Sequence, residues 1–451
     1  MTELLSIILA AGEGTRMRSS TPKVLHQVGG LPMIGHVLRT AQSAGASSIA
    51  LVVGASSERV RASAMAAAPD ALVSEQHERL GTGHAVRQAQ AAYATAKGNV
   101  IVLYADNPLV SPKTLAEIAK RLDDGADIVV VAYRPADPTN LGRLLTLDGR
   151  LVAIREHKDA SEEERKIDLC NSGIMGFKAD ALRGVIDRIG NANAKGEYYL
   201  TDAVELANAD GRRVEYVEAD PAEVVGVDDR SKLAQAEATF QELRRADFMA
   251  AGVTLHDPKS VWFSYDTEIA QDVTIEPNVV FGPGVKIDTG AVIHAFSHLE
   301  GAHVGANASV GPFARLRPGA NLGEGAKIGN FVEVKKADIG KGAKVSHLSY
   351  IGDASIGSDV NIGAGVITVN YDGYNKHQTV IGNNAFIGSN TSLIAPVNVG
   401  PGALVGSGSV ITDDVEADAL ALARGRQVNK PGRAKDIFAA AKAEKLNKKG
   451  L

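Results

Sequence analysis

An apolar residue recurs at every sixth position through the second half of the chain, with one-residue slips at Val304, Ile339 and Ile356, and this spacing leaves few folds open. An α-helix repeats every 3.6 residues and a strand every two, whereas a parallel β-helix passes through three short strands in about eighteen residues. Chance recurrence in Gly- and Val-rich loops would not hold the spacing over so many turns. We therefore predict a parallel β-helix with one inward apolar side chain per strand. The predicted inward residues are Ile269, Ile275, Phe281, Ile287, Ile293, Leu299, Val304, Val310, Leu316, Leu322, Ile328, Val334, Ile339, Val345, Ile351, Ile356, Ile362, Ile381, Ile387, Leu393, Val399, Val405 and Ile411.

The longest interruption of this repeat is the polar and aromatic segment Asn370–Thr379, NYDGYNKHQT. We predict a loop that projects from the coils. Loops held on a rigid scaffold often carry function, so this loop is a candidate part of a site.

About the first 230 residues show a different sequence pattern, in which apolar runs alternate with segments whose apolar residues have helical spacing. That alternation is typical of an α/β layer with a mostly parallel sheet. Ligands of such sheets bind beyond the carboxyl ends of the strands, where the turn Ala10–Arg18 and Asp106 fall. The predicted strands are Leu4–Leu9, Ile49–Val53, Val100–Tyr104 and Asp127–Ala132, with predicted helices at Met33–Ala44 and Ser111–Leu122.

Between the halves, Ser231–Asp247 has the spacing of one apolar helical face, and Ser231 is the predicted N-cap. The face consists of Leu233, Ala236, Phe240 and Leu243. We interpret this helix as the connector. The predicted division is a first domain at 1–230, a helical linker at 231–252, and a β-helix domain with a basic tail at 253–451.

Charge and cysteine content limit the kinds of binding partner and the cellular compartment that the sequence predicts. The net charge of −5 argues against bulk nucleic-acid binding, although Arg424–Leu451 holds nine basic and two acidic residues. Cys170 is the only cysteine, which fits a reducing compartment. The apolar run Leu4–Ala11 is too short to span a membrane, and no signal-peptide pattern precedes it. We expect a cytoplasmic protein that binds neither nucleic acid nor membrane.

The first turn predicts phosphate chemistry. Gly12 and Gly14 follow the first strand, so the backbone can approach a phosphate and direct N–H groups at it. Arg16 and Lys23 can then neutralise transferred charge. A structural turn with two surface cations would share this pattern.

Two aspartates also stand at the ends of apolar runs. Asp106 follows Val100–Tyr104, and Asp228 follows a second apolar strand. A carboxylate above a phosphate site is a natural Mg²⁺ ligand. A helix cap or turn would also explain each residue, and the sequence alone does not pair them.

The β-helix region carries a polar set on regular turns: Arg317, Lys335, His347, Tyr350 and Asn361. Histidine can act as a general base near neutral pH. A stacked or surface histidine is the alternative, and hexapeptide β-helices also serve as passive trimerisation or regulatory modules.

The ordered motifs of both halves resemble one known family. The first half has GTRM, PKVL, GTGHA, YADNPL, EHKDA, CNSGI, GEYYLTD and GVDDR, and the second has RLRPGA, NFVEVKK, SHLSYIGD, VNIGAG and NYDG. Together these resemble the bacterial bifunctional N-acetylglucosamine-1-phosphate uridylyltransferase/glucosamine-1-phosphate acetyltransferases over nearly the whole chain. The short GxGTRM signature alone indicates only the broad nucleotidyltransferase superfamily.

The resemblance implies a Rossmann-like α/β nucleotidyltransferase domain and a left-handed parallel β-helix of hexapeptide repeats. It implies a homotrimer that acetylates glucosamine-1-phosphate with acetyl-CoA. The chain would then transfer UMP from UTP to N-acetylglucosamine-1-phosphate with Mg²⁺, releasing pyrophosphate.

The resemblance also assigns residues. Arg16 and Lys23 would face the transferred phosphates, Asp106 and Asp228 would hold Mg²⁺, and His347 would be the base. Members of the family often carry Asn where this chain has Asp228, and the added charge could tighten Mg²⁺ binding or slow product release. The sugar-nucleotide residues would be Leu9, Ala10, Ala11, Gly12, Lys23, Gln76, Gly81, Thr82, Asp106, Gly142, Glu156, Asn171 and Asp228. The amino-sugar phosphate would meet Arg317, Lys335, Tyr350 and Asn361. The acetyl-CoA residues would be Ala364, Asn370, Tyr371, Ser389, Ser407 and Arg424, with the basic tail near the CoA phosphates.

Two other functions stay open at this point. One is a single-activity sugar-1-phosphate nucleotidyltransferase with a structural β-helix, which His347 and the loop Asn370–Thr379 disfavour. The other is a noncatalytic assembly subunit, which the joint presence of Arg16, Lys23 and the two aspartates disfavours.

Overall fold

The computed structural model of the chain describes residues 3–55 and 57–448. The chain divides into two compact units, the first comprising Met1–Ala250 with Trp262–Thr267 and the second Ala251–Val261 with Glu268–Leu451.

A nine-stranded sheet forms the centre of the first unit. Its main strand order is β11-β7-β10-β6-β1-β4-β5, and β10 runs antiparallel to both of its neighbours while the other neighbours are parallel. The hairpin β8-β9 attaches through β10. The strands of the first unit are β1 Leu4–Ala10, β2 Gln27–Val28, β3 Leu31–Pro32, β4 Ser48–Gly54, β5 Leu72–Gln76, β6 Asn99–Tyr104, β7 Ile128–Tyr133, β8 Arg143–Leu147, β9 Arg150–Arg155, β10 Cys170–Lys178 and β11 Val214–Glu218. Of these, β2 and β3 pair with each other in a separate two-stranded sheet. The predicted α/β fold and its four predicted strands are confirmed.

Helices cover both faces of this sheet, so side chains of β1 alternate between two cores. Leu5, Ile7 and Leu9 enter one core, and Leu4 and Ile8 enter the other. The helices are α1 Met33–Ser43, α2 Glu58–Ala67, α3 Thr82–Gln88, α4 Gln90–Tyr93, α5 Pro112–Asp123, α6 Glu162–Arg165, α7 Ala179–Ile186, α8 Ala203–Ala209, α9 Pro221–Val224 and α10 Arg230–Ala250, with 3₁₀ turns at Thr15–Met17, Lys23–Leu25 and Leu200–Asp202. This double layer leaves the carboxyl ends of the parallel strands open at one edge of the sheet.

The helix α10 belongs to the first unit, although the sequence predicts a connector there. Phe240 is buried against Val28 and Met33. The N-cap prediction was wrong, because α10 begins at Arg230 and the N–H of Lys232 donates to Asp229 Oδ1 at 2.9 Å. A carboxylate one residue before the helix therefore takes the capping role predicted for Ser231.

In the second unit, twenty-four short strands stack in parallel on three faces. One face is β12-β14-β17-β20-β23-β25-β27-β30-β33-β35, and the long strands β24 and β26 turn a corner and belong to both other faces. The strands are β12 Thr254–Leu255, β13 Glu268–Ile269, β14 Thr274–Ile275, β15 Val280–Phe281, β16 Lys286–Ile287, β17 Val292–Ile293, β18 His298–Leu299, β19 Ala302–Val304, β20 Ser309–Val310, β21 Arg315–Leu316, β22 Ala320–Leu322, β23 Lys327–Asn330, β24 Glu333–Ile339, β25 Lys344–His347, β26 Tyr350–Ile356, β27 Asn361–Ile362, β28 Ile367–Val369, β29 Thr379–Ile381, β30 Phe386–Ile387, β31 Ser392–Ile394, β32 Val397–Val399, β33 Leu404–Val405, β34 Val410–Ile411 and β35 Leu420–Ala421.

The inward residues of the coils confirm the six-residue repeat. Every predicted inward residue is buried except Ile269, in the outermost predicted strand, which is half-buried. The segment between β28 and β29 leaves the coils as a loop, as predicted, and Tyr374 at its tip is 93% exposed. The chain then ends its described part in α11 Arg433–Lys448, which has no buried residue.

Candidate active sites

A cavity of about 250 Å³ opens at the carboxyl ends of β1, β5 and β6. Nine of the predicted sugar-nucleotide residues line it: Leu9, Ala10, Ala11, Gly12, Lys23, Gln76, Gly81, Thr82 and Asp106. Five further lining residues were missed by the sequence analysis, namely Val24, Arg79, Ala85, Tyr104 and Glu197. Tyr104 and Glu197 stand inside quoted motifs, so the motifs marked the right segments without marking these side chains.

The Gly-rich turn is shaped by close approach of Lys23. Gly14 has φ +66°, and a Cβ there would collide with the Lys23 side chain. At Gly12 a Cβ would lie 3.8 Å from Lys23 Nζ. Gly14 is therefore the position that requires glycine, both for its positive φ and for the approach of the Lys23 methylenes, whereas the contact at Gly12 would be an ordinary one.

Gln76 and Gly81 close the other side of this cavity. The Gln76 amide is buried, and its Nε2 donates to the carbonyl of Gly81 at 3.2 Å. Gly81 has φ +105°, and a Cβ there would lie 2.6 Å from the carbonyl oxygen of Tyr198. The wall formed by these backbone groups can accept only a glycine at that position.

A second predicted group lies together beside this cavity. The N–H of Asn171 donates to the Gly142 carbonyl at 2.9 Å, and a Cβ on Gly142 would lie 3.4 Å from Glu156 Oε1. Burial raises the pKa of Glu156. Tyr104, which lines the cavity, also lies beside this group. Gly173 follows Asn171 by two residues, and a Cβ on Gly173 would lie 2.8 Å from the Tyr104 ring. Burial also raises the pKa of the Tyr104 phenol, so it remains a hydrogen-bond donor.

The structure brings the two predicted metal-binding aspartates onto adjoining segments. The N–H of Val227 donates to the carbonyl of Asp106 at 2.8 Å. Asp106 forms an ion pair with Lys23, and Arg16 Nη2 lies 2.9 Å from Asp228 Oδ2. Asp228 Oδ1 is buried and makes no hydrogen bond.

Within residues 3–55 and 57–448, no three His, Cys, Asp or Glu side chains converge as a metal cluster. Two carboxylates on adjoining segments nevertheless fit Mg²⁺, which usually takes one or two carboxylates together with substrate phosphates and water.

On the β-helix, several predicted residues converge on a carboxylate that the sequence analysis missed. Lys335 Nζ lies 3.4 Å from Asp353 Oδ2, and the Asn370 side-chain amide donates to the same oxygen. The Asn370 amide also lies 3.4 Å from the Tyr350 hydroxyl. Arg317 is on the preceding coil, where its N–H donates to the Val334 carbonyl. Lys335, Tyr350 and Asn370 thus form a polar strip around Asp353, with Arg317 on the preceding coil.

Arg317 has its own carboxylate partner, also missed from the sequence. Its Nη1 donates to Glu333 Oε1 at 2.8 Å, and this bond raises the pKa of the already strongly basic guanidinium. Arg317 therefore keeps its positive charge throughout the physiological range.

His347 ends strand β25 and is held by one hydrogen bond. Its Nδ1 lies 2.6 Å from Asn330 Oδ1 on the neighbouring strand β23. An amide oxygen only accepts, so Nδ1 is the donor in this contact and Nε2 is the ring nitrogen left without a hydrogen bond to Asn330. A general base requires such a ring nitrogen. Asn361 begins the next strand of the same face, β27.

The predicted acetyl-CoA residues follow His347 along one corner of the coils. Successive backbone hydrogen bonds run from Gly365 to His347, from Asn390 to Ala364 and from Gly408 to Ser389. Arg424 Nη1 donates to the Ser407 carbonyl at 2.7 Å. The structure therefore places Ala364, Ser389, Ser407 and Arg424 in one ladder.

The loop after β28 is organised by Asp372. Its carboxylate accepts from the N–H groups of Tyr374 and Asn375 and contacts His377 Nε2, and these bonds lower the pKa of Asp372. Lys376 Nζ lies 4.0 Å from the centre of the Tyr371 ring. The loop thus has a defined shape beside Asn370.

Comparisons with known proteins match both units. Residues 6–167 match the MobA-like NTP transferase domain, and residues 266–301 and 378–413 match the bacterial transferase hexapeptide (six repeats) family. A protein of Sinorhizobium fredii called bifunctional protein GlmU is 55% identical over 99% of this chain and 98% of its own length. Proteins of the same name from Azorhizobium caulinodans and Agrobacterium fabrum are 57% and 55% identical, over 97% and 99% of this chain and 98% of their own lengths. No helix in the described part of the chain is long and apolar enough to span a membrane.

Proposed function

The chain belongs to the bifunctional GlmU family, and we propose that its left-handed β-helix acetylates glucosamine-1-phosphate while its α/β domain transfers UMP to the product. The division proposed for these activities is 1–230 and 253–451, with 231–252 between them. The observation that carries the proposal is the polar strip of Lys335, Tyr350 and Asn370 around Asp353, since a purely structural β-helix has no need for it.

In acetyl transfer, the amine of glucosamine-1-phosphate attacks the thioester carbon of acetyl-CoA. His347 Nε2 accepts the amine proton, the new C–N bond forms, and the C–S bond breaks to release CoA. We assign Arg317 and Lys335 to the sugar phosphate, because two cations with fixed carboxylate partners present a preformed anion site. Tyr350 and Asn361 would orient the sugar.

The proposed acetyl-CoA site is the corner of the coils that carries Ala364, Ser389, Ser407 and Arg424. Asn370 and Tyr371 would lie beside the acetyl group, which would face the backbone of Ala364. Ser389, Ser407 and Arg424 would follow the length of the cofactor along the coils.

In uridylyl transfer, an oxygen of the sugar 1-phosphate attacks the α-phosphorus of UTP, and pyrophosphate leaves. We assign Leu9, Ala10, Ala11, Gly12, Gln76, Gly81 and Thr82 to the uridine nucleotide, and Gly142, Glu156 and Asn171 to the N-acetylglucosamine moiety. Arg16 and Lys23, which form ion pairs with Asp228 and Asp106, would neutralise the phosphates.

We propose that Mg²⁺ binds between Asp106 and Asp228. The unpartnered, buried Oδ1 of Asp228 supports this assignment, because a buried carboxylate oxygen without a partner is costly. When bound, Mg²⁺ would reduce the negative charge on the triphosphate.

We also propose a homotrimer. Three phenylalanines stack on one exposed corner of the coils, with ring centroids 4.9 Å apart for Phe296 and Phe313 and 5.2 Å apart for Phe313 and Phe331. Leu348 is the exposed residue of the following coil and directly follows His347. Contiguous exposed apolar surface is typical of an interaction site, and here it adjoins the proposed base. A neighbouring chain on this corner would help to complete the acetyl-CoA site.

The test is incubation of the chain with glucosamine-1-phosphate, acetyl-CoA, UTP and Mg²⁺, with CoA thiol and pyrophosphate followed separately. Both products should form, and omission of acetyl-CoA should stop both. Added N-acetylglucosamine-1-phosphate should then restore pyrophosphate release but not CoA release. Pyrophosphate without any CoA release would instead favour the single-activity nucleotidyltransferase. The proposal includes a cytoplasmic location, for which the single cysteine is the supporting observation.

A further inference from the structure

One carboxylate oxygen in the proposed metal site contacts two cations. Asp228 Oδ2 lies 2.9 Å from Arg16 Nη2 and 3.2 Å from Lys232 Nζ. The other oxygen, Oδ1, is buried without a hydrogen bond. The carboxylate is thus neutralised on one side and left free on the other, an arrangement that orients Oδ1 as a ligand atom.

The two cations differ in how firmly they are held. Arg16 belongs to the short turn after Gly14, and its side chain is 70% exposed. Lys232 stands in the first turn of α10, where Asp229 accepts its backbone N–H, and its side chain is 40% exposed. The proposed function requires Arg16 to leave Asp228 for the phosphates of the nucleotide. Lys232 has no such second role and can stay.

We propose that Lys232 is a positioning residue of the uridylyl-transfer site, which holds Asp228 in its ligating orientation and weakens its attraction for the divalent cation. The inference rests on the proposed function, since it requires Asp228 to be a metal ligand. The charge of Lys232 offsets that of Asp228, so the ion is held loosely enough to leave with the product.

The direction of the effect follows from Coulomb's law. A single positive charge within one side-chain contact of Asp228 repels a divalent cation on that carboxylate by an energy equivalent to roughly 3- to 10-fold in affinity near a hydrated surface. Removing the charge should therefore tighten cation binding. Because Lys232 is partly exposed, the effect should shrink as ionic strength rises.

The experiment measures binding of MnCl₂ to the full chain without nucleotide, by the loss of the free Mn²⁺ electron paramagnetic resonance signal. Lys232→Gln should lower the Kd by about 3- to 10-fold at low salt, and Lys232→Arg should keep the wild-type value. Lys97→Gln is the matched control, because Lys97 is exposed and precedes β6, at the opposite end of that strand from Asp106. In an Asp228→Ala background, which lacks the ligand that Lys232 contacts, Lys232→Gln should change the Kd much less.

A Kd for Lys232→Gln equal to that of Lys97→Gln, or weaker than that of the wild type, would overturn the proposal. If Lys232→Gln fails to fold by circular dichroism, Lys232→Met tests the same charge removal. An Asp228→Ala variant that binds Mn²⁺ with the wild-type Kd would remove Asp228 as a ligand, and this inference with it. The assay of CoA and pyrophosphate release by the unsubstituted chain tests the proposed function separately, because it uses no Lys232 variant.

Discussion

The hydrogen bond between Asn330 and His347 gives a sharp test of the proposed acetyl transfer. Its 2.6 Å length and the acceptor nature of the amide oxygen fix the proton on Nδ1. One such bond contributes about 0.5–1.5 kcal/mol net, so Asn330→Ala should lower kcat for acetylation by roughly 2- to 13-fold. His347→Ala removes the base itself and should cost about 10²- to 10⁴-fold.

Substitution of Asn330 by Asp provides an independent readout. A carboxylate next to Nδ1 favours the protonated imidazole, which cannot accept the amine proton. The acid limb of the kcat profile for acetylation should therefore move to higher pH, by about one unit or less because the residue pair is exposed to solvent. A residue with only a structural role would lower the rate at all pH values and leave the limb in place.

The assay follows release of the CoA thiol at saturating substrates, from about pH 5.5 to pH 9, a range that spans the titration of histidine. Uridylyl transfer by the same preparation is the control and should stay at the wild-type rate. The reasoning fails if Asn330→Ala is as damaging as His347→Ala, or if Asn330→Asp does not move the acid limb.

Four further predictions concern other parts of the chain. Asp106→Ala should abolish pyrophosphate release and leave CoA release near the wild-type rate, and loss of both in a folded variant would contradict separate sites. Burial raises the pKa of Glu156, so the fold loses stability as the pH rises through that pKa and the carboxyl group ionises. Glu156→Gln should therefore raise the Tm at pH 8 but not at pH 4, and it should weaken sugar binding. Phe313→Asp should reduce the sedimentation coefficient toward that of a monomer, and an unchanged trimer would remove the aromatic corner from the interface. Mixing His347→Ala with Arg424→Ala chains should restore part of the acetylation if these residues meet across subunits, whereas no restoration in mixed trimers would place them in one chain's site.

Some residues of the proposed sites were predictable from the sequence pattern, and others were not. Gly12 and Asp106 follow recognisable strands, so their shared edge followed from the α/β pattern alone, whereas Lys23 begins a 3₁₀ turn between β1 and β2. Arg79 stands outside the quoted motifs and reaches the cavity by folding back, with its Nε 3.0 Å from the Ala11 carbonyl. Only the order of the strands makes β1 and β5 neighbours of β4 and creates that contact.

The six-residue period by itself determined the β-helix and one row of its inward side chains, because burial on a repeating coil depends on local spacing. The structure also buries a second row two residues earlier, as at Val273, Val279 and Val285. Tertiary structure alone decided which residue lies above which. Asn330 is seventeen residues from His347, and the Val227 N–H reaches the carbonyl of Asp106 across more than a hundred residues. Local patterns encode which side chains are buried and where strands end. Which residues contact each other across coils or strands depends on one-residue slips in the repeat, on corners and on strand order, and their effects add up along the whole chain.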